Sequence, residues 1–106
     1  MPDDCPESKA NCSHAEISLD VSDEELNSVI EKWAEERSFT STFSEGHVVD
    51  RTLFMQFPDD LLYRNNCGTV ELHSQSRLGL GDFGVNAERI DDLINHLQNY
   101  DWQTTC

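Results

Sequence analysis

"LLYRNNCGTVELHSQS", Leu61 to Ser76, decides the fold. Leu61 to Tyr63 is a short apolar run, and "RNNCG" after it is rich in turn residues. Thr69 to Ser76 then alternates, with Val70, Leu72, Ser74 and Ser76 on one face. Two strands joined by so short a turn pair antiparallel. Working upstream, Val49, Leu53, Met55 and Phe57 alternate on one side of a further strand that Pro58 stops. Glu45-Gly46 reads as a turn, and Phe39 to Phe43 as the strand before it. Ala15 to Asp20 alternates briefly as a first strand.

Two helices complete the pattern. Ser22 is a favoured N-cap, and Glu25 three residues later makes a capping box. Leu26, Val29, Ile30 and Trp33 follow the i, i+3, i+4, i+7 spacing of one apolar face, and the helix is expected to end near Arg37. Ile90, Leu93, Ile94 and Leu97 repeat that spacing in a last helix, expected to start with Asn86 as its N-cap. The order β-α-β-β-β-β-α is rich in hairpins and poor in crossovers. It predicts an α+β domain: a two-layer sandwich of a mostly antiparallel four- to five-stranded sheet with both helices on one face. Residues 1–14 read as a polar arm, 15–100 as the single domain and 101–106 as a tail.

"GLGDFG", Gly79 to Gly84, matches the G-x-G-x-x-G pattern of dinucleotide-binding folds letter for letter. The context refuses that reading. A dinucleotide fingerprint opens a βαβ unit and needs an acidic residue about 20 positions later. Hairpins precede the loop here, no second parallel strand fits between Leu97 and Cys106, and Asp82 would set a carboxylate against the pyrophosphate. No cofactor is expected. The glycines then serve a tight loop that needs positive φ or close approach. Alternatively, the loop delivers a helix N-terminus to a small anion or phosphorylated ligand. The residues of that candidate site are Ser76, Arg77, Gly79, Gly81, Asp82, Gly84, Asn86 and Arg89. The competing role for Arg77 is an ion pair with Asp82, Asp59 or Asp60, and for Arg89 a solvated place on the helix.

Charge narrows the partners. Asp and Glu number 21 against 7 Lys and Arg, for a net charge of −14. Nucleic acid and anionic membrane surfaces are disfavoured by the sign alone. So dense an acidic surface is similar to those of proteins from salt-accumulating halophiles, where screening relieves self-repulsion. No apolar run approaches the length of a membrane span. Without a basic-then-apolar leader, the expected location is the cytoplasm.

Cys5, Cys12 and His14 are metal-ligand residue types, but the two cysteines stand too far apart for a zinc pair and no fourth ligand is evident, so no metal is expected. Cys5 and Cys12 either form a disulfide under oxidising conditions or stay reduced, the default without a secretory signal. Cys67 and Cys106 are placed for incidental oxidation only. His73 and Ser74 are neighbours on a strand and face opposite sides, so they form no catalytic pair. Asp59 and Asp60 diverge for the same reason. They are read as a turn after Pro58 with a salt bridge to Arg77, in preference to acid–base chemistry.

"FPDDLLY" and "SQSRLGLGDFGVNAERIDDL" together resemble the domain of unknown function 1499 family. The matching residues are Asp59, Asp60, Ser74, Ser76, Arg77, Gly79, Asp82, Gly84, Asn86 and Arg89. "CPESKANC" resembles the Cys-Pro-x-Ser…Asn-Cys start of the same family, with one residue more between the cysteines. Many members look membrane-anchored, exported or plastid-targeted. The resemblance implies no activity. Three functions therefore stand open: a non-catalytic anion-binding module, a protein-interaction or scaffold domain whose loop is purely structural, and a hydrolase-type enzyme using Asp59 or Asp60.

Overall fold

In the computed structural model, the described residues are 5, 12–37, 42–51, 58–76 and 84–106. The elements run β1 (Cys12–Leu19), α1 (Asp23–Arg37), β2 (Thr42–Ser44), β3 (His47–Arg51), β4 (Pro58–Asn65), β5 (Gly68–Ser76) and α2 (Val85–Asn99). The five strands form one antiparallel sheet in the order β1-β5-β4-β3-β2. The fold is α+β, with the element order that the periodicities predict.

The β4–β5 hairpin fixes the register of the sheet. Asn66 and Cys67 link the strands. Cys67 and Gly68 both take positive φ, 54° and 101°, and Asn65 Oδ1 accepts the Cys67 amide at 3.1 Å. Leu61 then faces Ser74 and Tyr63 faces Leu72. The alternation of side chains sends Leu61, Tyr63, Val70 and Leu72 to one face. That face, Ile17 of β1 and Val48 of β3 meet Leu26, Val29, Ile30, Trp33 and Ala34 of α1 and Ile90, Leu93 and Leu97 of α2 in one buried cluster. Ile94 is only partly buried against it. The expected core positions Leu53, Met55 and Phe57 lie outside the described residues.

Three boundaries and the phase of one strand differ from the sequence expectation. β1 starts at Cys12, three residues into the expected arm, because β5 runs far enough to pair Cys12 with Gln75 and His14 with His73. β4 starts at Pro58 itself, a position where a strand tolerates a residue lacking an N–H. In β3 the phase is reversed: Val48 and Asp50 are buried and Val49 faces the other way. A charged residue at an inward position hid the true alternation. Asn86 does not cap α2. The N-cap is Gly84, at φ 82°, and Asn86 lies inside the helix with its side chain buried.

The tail is attached to α1. Ser22 Oγ accepts the Glu25 amide at 3.2 Å, which is one half of the capping box. Glu25 does not return the favour to Ser22. Its carboxylate takes the amides of Gln103 and Thr104 and the Thr104 hydroxyl, while Thr104 Oγ1 accepts the Ser22 amide. Cys106 is joined to Cys67 by a disulfide, so these cysteines are not the reduced, weakly placed thiols that the sequence suggests. Sequence spacing could not show that the end of the chain returns to the β4–β5 turn.

Candidate functional site

Arg89 leaves α2 one turn after its start and points into the interior, where only 2% of it stays exposed. A buried guanidinium needs acceptors for its N–H groups. Nε donates to Asp50 Oδ2 at 2.9 Å and Nη2 to Asp59 Oδ2 at 2.7 Å. Nη1 donates to Ser74 Oγ at 2.9 Å and to Asn86 Oδ1 at 2.8 Å. The Ser74 hydroxyl donates in turn to Asn86 Oδ1 at 2.6 Å, and Asn86 Nδ2 donates to Ser76 Oγ at 3.0 Å. Asp50, Asp59, Ser74 and Ser76 come from β3, β4 and β5, all from the face that α2 covers. The inward alternation of three strands and one helical turn thus converge on a single cation.

The network continues toward the surface. Asp50 Oδ2 also accepts from Arg37 at the end of α1, at 3.0 Å from Nη2. Arg37 lies over the Trp33 ring, 4.9 Å from its centroid, and bonds Asp92 of α2 at 3.3 Å. Asp92 accepts the Trp33 indole N–H at 2.9 Å as well. Two arginines and the two buried aspartates balance in charge, so the carboxylates are not buried uncompensated. The result ties both helices to the sheet through ionic contacts as well as apolar ones.

Of the residues expected to bind an anion, Ser76, Gly84, Asn86 and Arg89 are described, and three of them put side chains into this network. Arg77, Gly79, Gly81 and Asp82 lie outside the described residues, as does the expected Arg77–Asp82 pair. Asp59 and Asp60 fall on opposite faces. Asp59 holds Arg89, and Asp60 Oδ1 stands 2.6 Å from His47 Nε2 on the other side of the sheet. They do not converge as a pair of carboxylates. Cys5 and Cys12 are joined in a disulfide. Sequence reasoning missed Asp50, Arg37 and Asp92. The signal for Asp50 was an acidic residue two places from Val48 in a short strand. It also missed the cross-strand pair His14 and His73, whose Nδ1 atoms are 2.9 Å apart.

The class defined by these features is a small disulfide-bearing α+β domain whose last helix is ionically locked onto its sheet. The chain belongs to the family described as protein of unknown function, DUF1499, which it matches over residues 5–97. No curated protein and no solved structure matches it. Among the described residues, no helix is long and apolar enough to cross a membrane.

Proposed function

We propose that this chain is a small non-enzymatic interaction domain, in which the Arg89 network is architectural and holds α2 against the sheet. The observation that carries this reading is the engagement of Arg89. Nε, Nη1 and Nη2 all donate to protein acceptors, two of them carboxylates. An arginine held this way has little capacity left for a ligand anion. The reading takes the outer edge of β1 as the contact surface. Among the described residues β1 pairs with β5 alone, and its eight residues are a long edge for a partner strand to extend. The charge of −14 disfavours nucleic acid as that partner. Two disulfides favour an oxidising compartment over the cytoplasmic expectation, since cytosolic thiols are kept reduced.

A second reading keeps the small-anion or phosphorylated ligand, with Arg77, Gly79, Gly81 and Asp82 completing a site at the start of α2. It is favoured by one observation: α2 begins directly after a glycine, Gly84 at φ 82°, where no side chain stands over the helix start.

Adding inorganic phosphate to the labelled full chain and following its amide resonances separates the two. The interaction reading expects residues 84–89 to stay silent. Saturable shifts confined there would sink it in favour of the anion site. Binders selected from a library of extended peptides should then shift the amides of Cys12–Leu19, and binders that map elsewhere would exclude the β1 edge.

A further inference from the structure

The sheet face opposite the helices carries a second polar cluster. The β1–β5 register sets His14 against His73 and Glu16 against Glu71. All four point away from Ile17, Val70 and Leu72, so two imidazoles and two carboxylates occupy neighbouring cross-strand positions. A ring nitrogen of His14 and one carboxylate oxygen each from Glu16 and Glu71 lie within 4.8 Å of one another.

Hydrogen bonding fixes which His14 nitrogen is on offer. His73 Nε2 stands 3.1 Å from Gln75 Oε1 and 3.5 Å from Cys12 Sγ. An amide oxygen and a disulfide sulfur can only accept, so His73 Nε2 carries the proton and donates. The neutral ring then has its lone pair on Nδ1, which accepts from His14 Nδ1–H at 2.9 Å. His14 is left with a bare lone pair on Nε2. That atom is buried and has no hydrogen-bond partner. A metal-bound histidine shows this pattern: one nitrogen on the ion and the other N–H held by an acceptor that fixes the tautomer.

The carboxylates fit as well. Glu16 and Glu71 are like charges placed directly opposite, and a shared cation would relieve the repulsion that Arg64 offsets on the Glu71 side alone. Glu71 is fixed by Arg64 Nη2, at 2.9 and 2.8 Å from its two oxygens, and by Asn66. Glu16 is exposed and can swing toward the ion.

We propose that His14 Nε2, Glu16 and Glu71 form a site for a first-row divalent cation of the zinc class, completed by water. One imidazole and two carboxylates suit such an ion, whereas magnesium and calcium prefer all-oxygen shells. The group Cys5, Cys12 and His73 is a separate arrangement. Its sulfurs are bonded to each other and His73 Nε2 is protonated, so it offers no ligands while the disulfide is intact.

The test uses the full chain with disulfides intact and no reductant. Zn2+ is titrated against a chromophoric chelator, and histidine side-chain nitrogens are followed by NMR. The site predicts one Zn2+ per chain, a shift of His14 Nε2 on binding, and an affinity about tenfold or more weaker in both His14→Ala and Glu16→Gln. His96→Ala should bind as the parent does. Glu16→Gln, at an exposed position, keeps the test valid even where His14→Ala perturbs the fold. Absence of binding, binding that survives both substitutions, or binding that appears only after the disulfides are reduced would each overturn the assignment. The last result would transfer the ion to Cys5, Cys12 and His73.

Discussion

At Arg89 the desolvation of a guanidinium is offset by two buried carboxylates and two neutral acceptors, and this explains why Asn86 is not a cap. Its side chain is needed one layer deeper, accepting from Ser74 and Arg89 and donating to Ser76. Asn86→Ala should therefore cost about 1–3 kcal/mol, the penalty for leaving buried polar groups unpaired. Chemical unfolding measures it, and a loss of a few tenths of a kcal/mol would mean that water replaces the amide without penalty. In the sequence, Asn86 and Arg89 were visible as a motif but not as a pair. Asn at the mouth of a helix matches a cap, and Arg on a helix matches a solvated face. Only the inward phase of β3, with Asp50 beside Val48, could have turned Arg89 inward on paper, and Asp50 is the residue that disguised that phase.

Elements lock to one another through their ends. The start of α1 is closed by the tail, with the Glu25 carboxylate gathering the Thr104 hydroxyl and the amides of Gln103 and Thr104. Those bonds, the Thr104 hydroxyl first, lower the Glu25 pKa from its ordinary 4.5. A depressed carboxyl stabilises the fold fully above its unfolded value and loses that contribution as pH falls through the folded one. Protection of the Gln103 and Thr104 amides, taken relative to their intrinsic exchange at each pH, should hence fall as the solution is acidified below about pH 4.5, while β5 stays protected. Unchanged protection would show that the disulfide alone holds the tail. That disulfide closes a stretch with a sequence separation of 39 residues. Replacing Cys67 and Cys106 together by Ser should cost about 2–4 kcal/mol in urea unfolding. No change in midpoint would mean that the tail bonds suffice. Ser22 and Glu25 announced the helix start clearly. What they bind besides each other lies about 80 positions away, beyond the reach of any local pattern.

For the whole molecule, the sheet, its antiparallel pairing and both helices were legible, because alternation and the 3.6-residue period depend only on near neighbours. The Cys67–Cys106 disulfide and the ionic lock were not, since both join elements remote in sequence. The net charge of −14 acts at this scale too. Raising KCl from about 0.01 to about 1 M shortens the screening length from about 30 to about 3 Å, so the thermal midpoint should climb with salt. A flat or falling midpoint would remove the case for adaptation to high salt. The lock between α2 and the sheet is the central claim, and equilibrium urea unfolding of Arg89→Ala tests it most directly. Loss of about 3–5 kcal/mol with an unchanged m-value is predicted, because Asp59 is left buried without its cation. A loss below about 1 kcal/mol, typical of an exposed ion pair, would contradict it.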